Sequence, residues 1–355
     1  MMQKISPQSE VPPLKGAIVY AEDIEFSWDN WYSGEYQLNK GKFLNENFGY
    51  RADFVRMNND VNYALFGIFA APNVYEGENG HLFRFHQEDF NFETNFKGAS
   101  YFNEQCSKLE VITRKLEEQG VTLILSISPA KYTYHRHDLP GKFKKGMYSD
   151  STNYKCLRNA LSDKKVNWID LNDYFEKHRN DLTYPLYAKG GVHWTRVGAY
   201  EGMGELLKYA EKVSGRDMPE VRTKNWRKFE WKIDRDISNT INLSEPWPEP
   251  NQLMYADVIP ADSSVERPNV LIVSDSYFDV VAWSGVPQGY FSDDYNYWYY
   301  NKKSFDNKHN KTDVDKSKIV EETKDRDVIV IMTTLLNLPN LSWGFIDEVY
   351  NADYP

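Results

Sequence analysis

The chain has 355 residues, of which 41% are hydrophobic and 26% are charged, so it can bury one large core as an ordinary globular protein. Its formal net charge of −10 argues against a nucleic-acid partner, because binding to phosphates requires a surplus of lysine and arginine. The longest apolar run, around residues 63–72, is too short to span a bilayer.

The first 95 residues are predicted to form a helical and hairpin approach segment that packs on the main domain. Residues 1–13 are polar and contain proline, so no signal peptide is visible; a chain whose signal or membrane anchor has been removed is the alternative. Amphipathic patterns predict helices over 29–47 and 53–66, and glycines bound a strand–turn–strand over 74–83.

Residues 96–355 show an alternation of helices and strands that predicts one α/β domain. Helices are expected at 101–119, 153–161 and 196–213, and strands at 121–127, 166–171, 269–274 and 328–333. Short, unbroken apolar strands separated by helices are typical of a parallel sheet covered on both faces. Residues 215–268 are polar and rich in proline, which predicts an excursion from this core.

Aromatic residues make up 15% of the chain, including 25 tyrosines and 10 tryptophans. Their rings can stack on the apolar faces of sugars, but filling a core is the more common use of such residues. The stretch 290–303 is so aromatic that it could form a binding wall, with Trp298 as a stacking residue.

Cysteine and histidine spacing gives no evidence of a metal site. Cys106 and Cys156 lie outside any CxxC or ligand spacing, and either two thiols or one disulfide would fit them. His135 and His137 could share one face of a strand, but no third ligand of known spacing lies nearby. The sequence therefore predicts no metal.

The loops at the carboxyl ends of the strands carry the reactive side chains, because ligands bind at that edge of such a sheet. Ser276 follows the strand 269–273 and can expose its hydroxyl there, although a serine after a strand is more often a helix cap. His193 lies in a turn between two glycines and the helix from Arg196, where a structural histidine is the alternative. Lys131 follows the strand 121–127 and could bind a carboxylate or polarise a carbonyl, or lie in solvent.

Taken in order, several motifs resemble those of the alginate O-acetyltransferase family, the AlgJ/AlgX-like SGNH-hydrolase-like proteins of polysaccharide acetylation. The motifs extend over some 300 residues and are Tyr32–Gln37, Phe48–Arg51, Leu65–Gly67, Tyr75–Phe83, Ser128–Lys131, Pro185–Tyr187, His193–Thr195 with Gly198, and Ser274–Phe278.

The resemblance implies a three-layer, flavodoxin-like α/β fold that is circularly permuted, with the histidine before the serine. It implies Ser276 as nucleophile and His193 as general base, since a serine hydroxyl is a weak nucleophile without an adjacent base. The expected catalytic residues are Ser276, His193, Asp275 and Asp170. The residues expected to bind substrate are Lys131, Tyr134, Tyr277, Trp194 and Trp298.

One departure from the family pattern affects the histidine. The family has an aspartate two residues before it, where this chain has Gly191, and loss of that role costs a serine hydrolase about 10⁴ in turnover. Three explanations are open: another carboxylate (Asp170, Asp173 or Asp279) orients His193, the site is a weak dyad, or catalysis has been lost.

The expected function is O-acetyl transfer to a cell-surface or exported polysaccharide through an acetyl-serine, without a cofactor. The resemblance implies a multi-pass membrane acyltransferase as acetyl donor and an extracytoplasmic location, periplasmic or at the cell surface, with a membrane anchor outside this chain as one option. Two rivals remain: an acetylesterase on the same site, and a degenerate domain that only binds polysaccharide.

Overall fold

The computed structural model describes residues 13–16, 21–47, 49–85, 95–144, 152–250 and 252–352. Residues 1–12 and Phe48 lie outside the described residues. The predicted absence of a signal peptide therefore concerns a part of the chain that the structure does not describe. Within the described ranges, no helix combines the length and the apolar character needed to cross a membrane. Cys106 and Cys156 are free thiols, which decides between the two alternatives left open by the sequence.

The described α-helices and strands are numbered here in chain order. The helices are α1 (Trp28–Tyr32), α2 (Glu35–Glu46), α3 (Arg51–Phe66), α4 (Gly98–Glu117), α5 (Lys131–Tyr134), α6 (Gly141–Lys144), α7 (Asn153–Ser162), α8 (Leu171–Lys177), α9 (Arg196–Ser214), α10 (Ser238–Ile241), α11 (Asp279–Ala282), α12 (Val286–Tyr290), α13 (Ile319–Lys324) and α14 (Phe345–Asn351). The strands are β1 (Val74–Glu76), β2 (Leu82–Arg84), β3 (Thr122–Ser128), β4 (Trp168–Asp170), β5 (Arg222–Lys228), β6 (Met254–Ile259), β7 (Val270–Ser274), β8 (Asn296–Tyr299), β9 (Lys303–Asp306), β10 (Lys311–Asp313) and β11 (Val328–Thr334).

The N-terminal helices differ from the prediction at one position. A single helix was expected over 29–47, but Gly34 adopts a left-handed φ of +82° and separates α1 from α2. After α3, strands β1 and β2 form an antiparallel hairpin. The hairpin contacts the main domain through Leu82, whose N–H donates to the carbonyl of Lys189 at 2.9 Å.

A seven-stranded sheet forms the centre of the molecule, in the order β10-β9-β8-β7-β11-β3-β4. Strands β8, β7, β11, β3 and β4 are parallel, and β9 and β10 extend the sheet antiparallel at one edge. The predicted α/β class with a parallel sheet is therefore confirmed.

Both faces of the sheet are buried, as expected for parallel strands. Along β7, Ile272 packs into the cluster that contains the α9 side chains, whereas Leu271 and Val273 pack into the opposite cluster with α4 and α7. Because β7, β11 and β3 are adjacent and parallel, their carboxyl ends meet at one edge of the sheet.

The polar segment 215–268 folds back on the rest of the protein. It contains the antiparallel pair of β5 and β6 together with the short helix α10. Its residues Ile237, Ile241 and Trp247 are buried in a cluster with Val74 and Leu82 of the hairpin. This packing brings the segment next to the loop that carries His193.

Candidate active site

Ser276 lies in a short 3₁₀ turn (Ser276–Phe278) that begins directly after β7. The preceding residue, Asp275, is almost fully buried and holds this turn in place. Its carboxylate accepts hydrogen bonds from Tyr277 N–H (3.0 Å), Thr334 Oγ1–H (2.8 Å) and Asn337 Nδ2–H (2.7 Å). Asp275 was expected among the catalytic residues; its contacts join the Ser276 turn to the end of β11, and the residue also lines the cleft beside Ser276.

His193 lies in the loop before α9, and several buried contacts fix that loop. The Lys131 ammonium donates to the carbonyls of Ala188 and Lys189 at 2.8 Å each and to that of Gly191 at 2.7 Å. Immediately after the histidine, Trp194 Nε1–H donates to the carbonyl of Tyr277 at 3.0 Å. The histidine loop is therefore tied directly to the serine turn.

The structure brings Ser276 and His193 together, although 83 residues separate them in the chain. His193 Nε2 lies 3.0 Å from Ser276 Oγ, and His193 Nδ1 lies 2.6 Å from Oδ2 of Asp236. The other oxygen of Asp236 accepts from Val192 N–H at 2.8 Å. A serine, a base and an orienting acid thus form a hydrogen-bonded series, the arrangement that activates a serine nucleophile.

Asp236 was missed by the sequence analysis, and Gly191 explains how it reaches the histidine. A β carbon at Gly191 would lie 2.8 Å from the Asp234 carbonyl oxygen and 3.0 Å from that of Ile233. The neighbouring Gly190 carbonyl accepts from the N–H groups of Ile237 (3.1 Å) and Ser238 (2.9 Å). The glycine where the family has aspartate thus makes room for a different segment, which supplies its own aspartate.

We expect Gly191→Asp to lower both the melting temperature and the turnover. Restoring the family's aspartate would force its β carbon into two backbone carbonyls, and such overpacking costs about 1–3 kcal/mol. Thermal unfolding and acetyl-ester turnover would be measured side by side. Gly41→Asp is the control, because Gly41 is exposed in α2 and a β carbon there meets open space. A stable Gly191→Asp protein with faster turnover would contradict this packing.

The charges around His193 favour its protonated form. Burial lowers the pKa of His193, but the hydrogen bond and negative charge of Asp236, aided by Asp279, raise it above the ordinary value overall. Asp279 itself has a pKa raised to about 6 by burial, and it accepts a hydrogen bond from Tyr297 Oη–H at 3.1 Å. Asp236 therefore stabilises the imidazolium that would form during catalysis, and Asp279 adds a longer-range contribution.

Ser276 and His193 open into a cleft of about 670 Å³. One wall comes from Arg84 and Phe85 at the end of the hairpin, and another from Asn337 after β11. Tyr300 also lines the cleft beside Ser276. Burial raises the pKa of Tyr300, and hydrogen bonding with Ser276 lowers it in part. The lining therefore offers several hydrogen-bonding groups to a ligand.

Asp170 does not orient His193, which corrects the expectation from sequence. It ends β4, at the edge of the sheet, and caps α8 by accepting from Asp173 N–H at 2.9 Å. Its other oxygen accepts from Tyr154 Oη–H at 2.7 Å. Asp173 pairs with Lys177 at 2.6 Å on α8. The first of the three explanations for the missing family aspartate therefore applies, but with Asp236 as the carboxylate.

All five residues expected to bind substrate are buried, and four of them lie outside the cleft lining, which corrects those four predictions. Lys131 is held by three carbonyls and burial lowers its pKa to about 7, while the Arg179 guanidinium covers the Tyr134 ring at 3.8 Å. Trp194 is fully buried, and Trp298 is 2% exposed and packs on Phe345. Tyr277 lines the cleft, and its hydroxyl donates to that of Tyr187 at 2.7 Å.

Comparison with known proteins agrees with this fold. The family model for the "SGNH hydrolase-like domain, acetyltransferase AlgX" matches residues 74–267, a range that contains His193 and Asp236. No curated protein sequence matches the chain.

Several solved structures are similar to this chain. The O-acetyltransferase domain of Pseudomonas putida AlgJ has a TM-score of 0.50 and 18% identity, over 79% of this chain and 100% of that one. Bacillus cereus PatB1, solved with a sulfonyl adduct, has a TM-score of 0.50 and 11% identity, over 77% of this chain and 99% of its own. Pseudomonas aeruginosa AlgX has a TM-score of 0.49 and 13% identity, over 77% of this chain and 66% of its own. With the family match, the first two support the predicted SGNH-hydrolase-like fold, which is confirmed.

Proposed function

Because the chain belongs to the SGNH hydrolase-like acetyltransferase family, whose model matches more than half of its length, we propose that it acetylates hydroxyl groups of an exported or cell-surface polysaccharide through an acetyl-Ser276 intermediate. The observation that supports this most strongly is the series Ser276–His193–Asp236, with separations of 3.0 and 2.6 Å, at the floor of an open cleft. The reaction belongs to the class of acyl transfers.

The first half of the reaction acetylates the enzyme. His193 Nε2 takes the Ser276 proton while Oγ attacks the acetyl carbonyl carbon of the donor. The backbone N–H of Ser276 can stabilise the resulting oxyanion, and such a donor contributes about 10²–10³ in rate. Collapse of the tetrahedral species expels the donor's leaving group, which accepts from His193 the proton that came from Ser276. Asp236 holds the imidazole in the tautomer that these transfers require.

The second half of the reaction transfers the acetyl group to the acceptor. His193 removes the proton of an acceptor hydroxyl, whose oxygen attacks the acetyl-Ser276 carbonyl. The ester bond to Ser276 breaks, and Ser276 Oγ recovers the proton from His193. A sugar hydroxyl competes with water at this step, so the hydrogen-bonding groups Arg84, Asn337 and Tyr300 of the cleft are the candidates for holding the acceptor.

The donor and location follow from the family and are part of the same proposal. A multi-pass membrane acyltransferase is proposed to supply the acetyl group on the outer side of the membrane, where an exported polysaccharide is available. The O-acetyltransferase domain of AlgJ, which this fold resembles over 79% of the chain, supports an O-linked acceptor.

The partition of acetyl groups between sugar and water separates a transferase from an esterase. With an activated acetyl ester as donor and an oligosaccharide present, we expect acetylated oligosaccharide to exceed free acetate, and to rise with acceptor concentration. Mass spectrometry of the oligosaccharide and an acetate assay give the two amounts. Release of acetate at an unchanged rate, with no acetylated sugar for any acceptor, would identify an esterase instead.

A further inference from the structure

A second group of chemically reactive side chains lies away from Ser276, between the β1–β2 hairpin and the loop after β3. One ring nitrogen each of His81 and His135 and one carboxylate oxygen of Asp138 lie within 4.8 Å of one another. His81 precedes β2, whereas His135 and Asp138 follow α5. The group therefore joins two segments that are more than 50 residues apart in the sequence.

Within this group, His81 carries a buried ring nitrogen that has no hydrogen-bond partner among the described residues. His135 Nδ1 lies 2.9 Å from Oδ2 of Asp138, and Asn79 Nδ2–H donates to Oδ1 of Asp138 at 2.7 Å. His81 is only 6% exposed, and its Nδ1 has no hydrogen-bond partner among the described residues. A buried ring nitrogen without a partner has lost its hydrogen bonds to water and has gained none in exchange. A bound ion would supply the missing interaction. The His81 ring also lies against that of His135, with centroids 3.9 Å apart.

We propose that His81, His135 and Asp138 bind a divalent transition metal, with Zn²⁺ as the best match. Two imidazoles and one carboxylate are a common ligand set for zinc, whose fourth position is taken by water. Ligand atoms that share a tetrahedral zinc ion at about 2.1 Å lie about 3.4 Å apart, so small side-chain rotations would close this site. At His81, the negative charge of Asp138 acts against the positive charge of Lys131.

The position of the site implies a structural role for the metal, next to one wall of the cleft. Arg84 and Phe85, which line the cleft beside Ser276, lie at the end of the same hairpin that carries His81. A metal ion would fix the hairpin to the loop after β3 and so hold this wall of the cleft. The sequence predicted no metal, because His135 and His137 lacked a third ligand nearby. His137 is exposed and lies outside the group, and the third ligand, His81, comes from a distant hairpin.

Metal titration of the full chain tests the proposal without reference to acetyl transfer. After removal of metal with a chelator, we expect the wild type to bind one equivalent of Zn²⁺ by calorimetry, and to show the visible absorption of tetrahedral Co²⁺ when Co²⁺ replaces it. Zinc should raise the melting temperature by preferential binding to the folded state. His81→Ala and Asp138→Asn should each weaken Zn²⁺ binding at least about 100-fold.

His137→Ala is the matched control, because it removes an exposed histidine one residue from Asp138, and its Zn²⁺ binding should equal that of the wild type. If His81→Ala does not fold, Asp138→Asn decides the question, since it keeps the size of the side chain. A wild type that binds no Zn²⁺ or Co²⁺ in a saturable way overturns the proposal. Equal binding by the wild type and a folded His81→Ala or Asp138→Asn variant overturns it too.

Discussion

Replacing Asp236 with asparagine is expected to lower kcat for acetyl transfer by about 10⁴, the loss seen when the orienting acid of a serine hydrolase is neutralised. Asparagine can present an N–H where Asp236 presents an oxygen, so the His193 tautomer that accepts the Ser276 proton would be disfavoured. The imidazolium would also lose the charge that now lies 2.6 Å away. The measurement is kcat against pH with an activated acetyl ester, alongside thermal unfolding.

The pH profile distinguishes this role from a merely structural one. His193 acts as a base only when neutral, and in the wild type Asp236 outweighs burial to raise its pKa. Activity of the wild type should therefore fall as the pH drops through a value above the ordinary histidine pKa. In Asp236→Asn, burial acts without that charge, so the pKa of His193 falls and this limb of the profile moves to lower pH.

Asp173→Asn is the control for Asp236→Asn. It makes the same chemical change at a partly exposed carboxylate that pairs with Lys177 on α8, and its kcat should match the wild type. If Asp236→Asn folds and retains wild-type turnover, the acid partner assigned to His193 is incorrect.

Ser276→Ala is expected to reduce turnover by about 10⁶, because removing the nucleophile of a serine triad disables the unit as a whole. Ser276 is half-buried at the start of the turn, and its side chain is hydrogen-bonded to His193 and Tyr300, which lie outside β7 and β11. The variant should therefore unfold at nearly the wild-type temperature. Acetate release and thermal unfolding are measured together, with Ser264→Ala, an exposed serine in the segment 215–268, as control. Turnover equal to that of the wild type would exclude Ser276 as nucleophile.

The sequence predicted the sheet and two members of the site because both leave local signals. The strands β3, β7 and β11 consist mainly of buried apolar residues, and side chains that follow such strands meet at one edge of a parallel sheet. Ser276 follows β7, and His193 lies in a glycine-flanked turn before α9. Their pairing was implied by the resemblance of these motifs, in this order, to the O-acetyltransferase family.

Asp236 left no such signal. It lies 43 residues from His193 in a polar segment rich in proline, and its position depends on the packing of Ile237 and Ile241 against the hairpin. The one local hint is the pair Gly190 and Gly191, since adjacent glycines mark places where another backbone approaches closely.

Within the aromatic stretch 290–303, Tyr300 does line the cleft, but Trp298 was misjudged because strand periodicity was not applied to it. β8 lies inside the sheet between β7 and β9, so its successive side chains face the two buried layers in turn. Tyr297 packs into one core cluster and Trp298 into the other. Lys131 was misjudged because all three N–H groups of its ammonium donate to backbone carbonyls of the neighbouring loop, a contact that the sequence does not reveal.

The central claim is that Ser276, activated by His193 and Asp236, carries the acetyl group, and peptide mapping by mass spectrometry tests it most directly. The full chain is incubated with an activated acetyl ester, quenched in acid and digested. We predict one acetyl group on the peptide that contains Ser276, forming at a much lower rate in Asp236→Asn and absent from Ser276→Ala. An acetyl group on another residue, or an unmodified Ser276 while the ester is being turned over, would contradict the account.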